Sequence, residues 1–237
     1  MLKNLYLFSI LLILGLTACA QCSVKPLQIQ SQQPLPALAV EYETVISFDD
    51  TDQAQQVYLW RFYRAANRLE THNLHDNSGE IWTRSVYGSI SYQRVFHTQQ
   101  VIIDYLPGDL KAIGAKIDWL ALSTLLDSDM IESLRSDTQA EFLGRPATHY
   151  KNSDPNKTIE IVWLEQEQLP ALIRRTEQGH TIVSRIKTIH ALHQSPWALP
   201  DSADYSVTDF ADLGDKENDA VIRQILPKLK AGHSHAR

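Results

Sequence analysis

Residues 158–175 read TIEIVWLEQEQLPALIRR. Thr158–Leu164 is rich in β-branched and aromatic residues and contains no breaker, which is strand composition. Glu165–Gln168 is a polar turn, and Leu169–Arg175 returns along the first run. A connection this short joins antiparallel strands, since a parallel crossover needs a dozen or more residues. The pattern repeats on either side. Gln178-Gly179 precedes a strand over Thr181–Ile189, and Gly144-Arg145-Pro146 turns Ala140–Phe142 toward Thr148–Tyr150. In the first half QVYLWRFYR (56–64), Ile81–Tyr87, Ile90–Phe96 and Val101–Tyr105 read as strands, punctuated by HDNSG (75–79), Gly88-Ser89 and Pro107-Gly108. About seven to nine strands in an antiparallel meander are expected.

Residues 118–135, DWLALSTLLDSDMIESLR, change period. Trp119, Leu122, Leu126, Met130 and Leu134 recur at helical spacing and predict a helix lying on the sheet. Asp118 is suited to cap it, and Asp129 to cap a second short helix after a break near Ser128. Asp215–Lys230 has a further helical pattern, broken by Pro227, with Asp215 or a near neighbour as its cap. The fold class is α+β: a curved antiparallel sheet with one or two helices packed over one face.

The chain has 237 residues, 43% of them hydrophobic and 21% charged, with 22 Lys plus Arg against 28 Asp plus Glu. The net charge of -6 argues against binding a nucleic-acid backbone. Two cysteines cannot form a disulfide framework. The sequence has no phosphate-binding glycine loop, dinucleotide fingerprint or nucleophile elbow. The pairs His72/His75 and His190/His193 lack the context of a metal motif. The acidic stretch 209–219 misses the ligand spacing of a calcium loop. No catalytic, cofactor-binding or metal-binding residue is therefore assigned, and no cofactor is expected. A hydrolase with an unrecognised polar site remains an alternative.

Residues 1–18, MLKNLYLFSILLILGLTA, have the charge and apolar run of an export signal. The run ends in Leu16-Thr17-Ala18-Cys19, which resembles the lipobox of bacterial lipoproteins. The resemblance implies cleavage before Cys19 and acylation of that cysteine, palmitate included. Several acyl chains give near-permanent membrane attachment. Ala20, in place of the Asp that retains many such proteins at the inner membrane, implies the outer membrane and its periplasmic face. Residues 19–39 then read as a lipid-anchored tether, 40–230 as a single domain and 231–237 as a flexible tail. Cys22 falls in the tether.

The body resembles the periplasmic lipoprotein-carrier superfamily. The likeness is carried by Ile159–Leu164, the acidic turn, Leu169–Arg175, and the preceding Gly144-Arg145 with Tyr150. It implies a half-barrel-like sheet closed by helices over an apolar cavity. Trp119, Leu122, Leu126, Ile161, Trp163 and Leu172 are the candidate walls of a ligand pocket for a lipid, acyl chain or lipoprotein, with no catalytic group needed. The same side chains closing into a solid core would leave a surface protein-interaction module. Arg61, Arg64, Arg84 and Arg94, on or beside the early strands, are candidate surface contacts to a membrane phosphate or an acidic envelope partner.

Overall fold

The computed structural model describes residues 25–29, 34–49, 54–152, 154 and 157–232. The signal segment, Cys19 and Cys22 lie outside the described residues. No described helix is long and apolar enough to cross a membrane.

Among the described residues, twelve strands form one open sheet. β1 (Leu38–Phe48) stands at its centre. On one side follow β2 (Gln56–Arg64), β3 (Arg68–Asn73), β4 (Ser78–Arg84), β5 (Ile90–Phe96) and β6 (Val101–Tyr105). On the other side lie β11 (His180–Ala191), β10 (Leu169–Glu177), β9 (Thr158–Leu164), β8 (Arg145–Lys151) and β7 (Arg135–Phe142). β12 (Ser206–Asp209) joins the β6 edge and is the one parallel neighbour. The hairpin at 158–175 is β9 and β10, as its sequence predicts. The count exceeds the expected seven to nine partly through β1, whose alternation Val40, Tyr42, Thr44, Ile46 carries a period-two signal. β12, at four residues, is too short to show one.

Turn chemistry sets the register. Leu143-Gly144 and Gln178-Gly179 are two-residue hairpin turns with both φ values positive, 51° and 72°, then 52° and 80°. That conformation matches the right-handed twist of the strands it joins.

Register also divides the sheet into two faces, because paired residues share a side. One face carries Tyr42, Phe62, Leu69, Trp82, Tyr92, Ile103, Ile161 and Trp163. The helices pack here. β6 and β7 sit ten strand positions apart, about 48 Å along the sheet at ~4.8 Å per strand. The chain joining them must cross this face, and it does so as α1 (Pro107–Ala112), α2 (Trp119–Thr124) and α3 (Ser128–Ser133). Pro107 ends β6 and also starts α1, where its missing N–H costs nothing. Asp118 caps α2, accepting from Leu120 N at 2.8 Å. Asp127, not Asp129, caps α3, accepting from Met130 N at 2.7 Å. The break falls at Leu125, which holds φ 60°.

α4 (Ala220–Gly232) covers the β4–β6 side. Asp219 caps it, rather than Asp215, with its carboxylate accepting from Val221 N and Ile222 N. Those two amides hold the Asp219 carboxyl below its ordinary range. The helix continues through Pro227. Ile222, Ile225 and Leu229 bury against Tyr92, Phe96, Val101 and Ile103, and that burial outweighs the lost backbone bond. On the opposite face, chain 192–205 crosses from β11 to β12. Trp197 lies under the Arg61 guanidinium at 4.5 Å, and Tyr205 meets the His97 ring.

The N-terminal stretch read as part of a tether docks on the domain. Pro26 bridges Arg135, and Leu27 is buried among Leu126, Met130 and Leu134. Leu38 and Ala39 already belong to β1.

Leu126 is 1% exposed, while Leu122 is half-buried. Leu126→Ala should therefore cost about 2–5 kcal/mol, and Leu122→Ala clearly less. Denaturant unfolding of both variants checks this, and the reverse order would contradict the helix placement.

Candidate functional site

The covered face is pinched at one end by a buried cation. Arg64, at the end of β2, is 1% exposed. Its Nε donates to the Pro36 carbonyl at 2.9 Å, and Nη1 donates to Ser123 O of α2 at 2.8 Å and to Gln168 O at 3.0 Å. Nη2 donates to Glu167 O. In a flat sheet β2 and β10 would stand three strand spacings apart, about 14 Å. One side chain at the end of β2 instead reaches the β9–β10 turn, so the sheet curls toward the helices here. Burial lowers the guanidinium pKa to about 10, and the group stays charged at neutral pH. Leu38, Phe62 and Leu69 share one core cluster at this end with Ala147, Leu164 and Leu169, which the register sets on the side away from Trp163.

The sequence-derived pocket residues do not line one cavity. Ile161, Trp163 and Leu126 are closed on one another with Leu27, Met130, Leu134 and Tyr150 as solid core. Leu172 lies on the other face. An unbroken hairpin from Leu164↔Leu169 would set Leu172 opposite Ile161. A bulge between Pro170 and Leu172 sets it opposite Val162 instead. One extra residue reverses the side, and the Tyr42 hydroxyl donates to the Pro170 carbonyl there at 2.9 Å. Trp119 and Leu122 are half-buried on α2, against the cluster that includes Phe62 and Leu69.

The four arginines do not form one surface. Arg64 is interior, as described. Arg94 is 9% exposed and donates to Leu229 O at 3.1 Å, fastening the last turn of α4, where a cation also meets the helix dipole favourably. Both are corrections to the surface reading, because the Arg64 guanidinium is buried among four carbonyls that it satisfies and that of Arg94 reaches under α4 to one. Arg61 pairs with Glu41 at 3.0 Å on the opposite face. Arg84 lies over the Trp119 ring at 4.7 Å, joining β4 to α2.

A strip of the covered face stays half-exposed between the helices. Register places Trp60, Tyr42 and Ile186 in one row across the central strands. Tyr58, Thr44, Ser184 and Ile173 form the next, and Ile46 and Ile182 lie in the last, flanked in register by the exposed Gln56 and the half-buried Arg175. Within the strip Tyr42 and Ile186 are buried, and its other side chains are half-buried. The strip measures about 13 Å along β1 and about 14 Å across four strands. Tyr42 and Trp60 stack at 4.5 Å. Trp60 Nε1 donates to Thr44 Oγ1 at 2.9 Å, and Thr44 and Ser184 hydroxyls share a bond at 2.8 Å. The Tyr42 hydroxyl donates to the Pro170 carbonyl and that of Tyr58 to Gln56 Oε1, so the hydroxyls of the strip are all engaged and the remaining surface is apolar. Arg175 flanks it, its Nη2 at 3.8 Å from Met130 Sδ. Sequence reading named none of the strip's residues, among them Trp60, Thr44, Ile46, Ile173, Ile182 and Ser184, as site residues. The alternation within β1 is the signal that finds Thr44 and Ile46.

Among the described residues, no group of three or more His, Cys, Asp or Glu could hold a metal ion. Two surface depressions lie elsewhere, one on the opposite face around Val45, Arg174 and Arg185, the other beside α1 at Ile90, Leu110 and Ile117. The opposite face carries a histidine pair, His72 and His97, with ring centres 4.8 Å apart. His97 Nδ1 meets the Tyr205 hydroxyl at 3.2 Å. Burial, then the neighbouring His72, lowers the His97 pKa to about 4.

No family model and no curated protein matches this chain. Among solved structures it is similar to MucB at 13% identity and a TM-score of 0.43, over 74% of this chain and 60% of that one. It is similar to PNGF-II at 12% identity and a TM-score of 0.36, over 76% of this chain and 32% of that one. A lipoprotein-sorting protein domain from Vibrio parahaemolyticus, described as outer-membrane, aligns at 8% identity and a TM-score of 0.32. That match covers 71% of this chain and 89% of the other. The chain thus spans 60% of MucB and 32% of PNGF-II, each less than two thirds, and the likeness extends to neither ligand nor activity.

Two predictions follow from these buried groups. Arg64→Met should lose about 3 kcal/mol or more, since each buried carbonyl left unmade costs ~1–3 kcal/mol. Chemical denaturation checks this, and a near-neutral result would contradict the pinch. Folded His97 stays neutral while the unfolded chain takes up a proton below the ordinary value near 6.5. Its contribution to stability is therefore lost as pH falls from 6.5 toward 4. Melting curves across that range should fall less steeply for His97→Phe than for the parent.

Proposed function

We propose that this chain is a non-enzymatic envelope protein, held at the periplasmic face of the outer membrane by acyl chains on Cys19. In this reading its strip of half-exposed apolar side chains receives the acyl chain of a lipid or lipoprotein. The observation that carries this is the strip itself: Trp60, Ile46, Ile173 and Ile182, with hydroxyls already paired. Such a surface favours a partner with no polar demands. Each methylene it removes from water contributes about 0.8 kcal/mol, so a chain of modest length suffices. Curvature toward the helices gives the concavity that holds it.

A second reading has one specific observation in its favour. Ile161, Trp163 and Leu126 form solid core, so the protein would instead act through a surface, with the strip meeting an apolar protein segment. Native mass spectrometry of protein purified from its own envelope, with lipid extraction, separates the two. Co-purified phospholipid or acyl peptide, reduced severalfold by Ile182→Glu with an unchanged melting temperature, is the expected result. Lipid-free protein, or lipid retained equally by the variant, would overturn the acyl-chain reading. Ile161→Glu is unsuitable as a probe because that side chain is fully buried.

A further inference from the structure

The docking of residues 25–29 shortens whatever links the domain to an anchor at residue 19. Lys25 N donates to Ser136 Oγ at 2.7 Å, and Ser136 N donates to Lys25 O at 2.8 Å. Pro26 bridges Arg135, Leu27 is 4% exposed in the α3 cluster, and Ile29 packs against that cluster. These contacts add a short strand-like segment to the β7 edge and fix it with an apolar side chain. Only residues 20–24 separate Cys19 from Lys25. Six Cα steps at full extension reach about 20 Å. The reading of residues 19–39 as one continuous spacer would allow about three times that distance.

We propose that the α3–β7 edge of the domain faces the lipid bilayer, held there by this short link. The inference rests on the reading that Cys19 carries the acyl chains. A chain of five intervening residues reaches about 20 Å, well under half of the path to the β12 edge, eleven strand positions away and about 50 Å along the sheet. The docked edge is therefore the part of the molecule nearest the headgroups. Its charge is compatible with that position. Lys25 and Arg135 have no carboxylate partner among the described residues, and the Arg135 guanidinium bonds the carbonyls of Glu132 and Leu134. Asp137 is bridged to Lys151 at 3.1 Å and to His149 at 3.3 Å. Glu132 and Asp129 remain on α3, so the link, rather than net charge, sets the orientation. The strip on the covered face then opens sideways to the bilayer, beside the α3 wall.

The test uses the full lipidated chain with Cys22→Ser, reconstituted in phosphatidylethanolamine–phosphatidylglycerol vesicles that carry an acceptor-labelled lipid. Donor dyes are placed through Thr138→Cys on β7 or Val207→Cys on β12, both exposed positions. Energy transfer to the membrane should be severalfold greater from position 138 than from 207. Leu27→Asp, which undocks the segment, should lower transfer from 138 and narrow the difference. Equal transfer from the two positions in the parent, or stronger transfer from 207, would overturn the orientation. So would an unchanged difference in Leu27→Asp. Mass spectrometry of the same sample reads acylation of Cys19. Its absence would remove the anchoring reading and this inference together, whereas acylation with equal transfer would remove this inference alone.

Discussion

A guanidinium taken out of water has to be repaid by hydrogen bonds, and in this molecule that requirement shapes the sheet. Arg64 meets carbonyls from the segment before β1, from the end of α2 and from the β9–β10 turn. Those groups are remote in sequence, and each is left unsatisfied if the strands flatten. A lysine in the same place would present a point charge with three donors and could not bridge three directions in a plane. The apolar cluster alongside runs from Leu69 on β3 to Ala147 on β8, between strands that the cation also ties together. Curvature at this end thus answers a polar constraint, with an apolar cluster beside it.

The elements that short-range pattern controls were legible in the sequence. The hairpin at 158–175 and the α2 and α3 helices follow from alternation, helical spacing and capping aspartates, all properties of neighbouring residues. Arg64 was not legible, because nothing near it in sequence distinguishes it from Arg61, three residues away on the opposite face. The difference lies in partners between 28 and 104 residues distant. Leu172 failed for another reason. A side-chain period of two makes every assignment beyond a bulge depend on that bulge. The site was legible only as a kind of surface: the pattern showed that large apolar side chains face one way, but not which of them the helices would reach.

What the helices can reach follows from their lengths. Six residues of α-helix span about 9 Å, or roughly two strand spacings. α1, α2 and α3 are each of that size, and between β6 and β7 they must serve ten spacings. They concentrate where there is something to hold them. α1 sits beside β6, α2 over the Arg64 pinch, and α3 on the core of β8 and β9. α4, about 20 Å long by the same rise, covers β4 to β6. The central strands β2, β1, β11 and β10 receive cover only at the pinched end. Their remaining rows stay half-exposed because the crossing chain has too few residues to roof them. Filling that space with longer helices would bury Ile46, Ile173 and Ile182 and would stabilise the fold by ordinary hydrophobic burial. The sequence instead keeps these positions apolar and leaves them accessible. An apolar surface maintained next to a curl that the fold elsewhere uses to close its core is the physical reason for assigning binding to this strip, and not to the packed residues beneath α3.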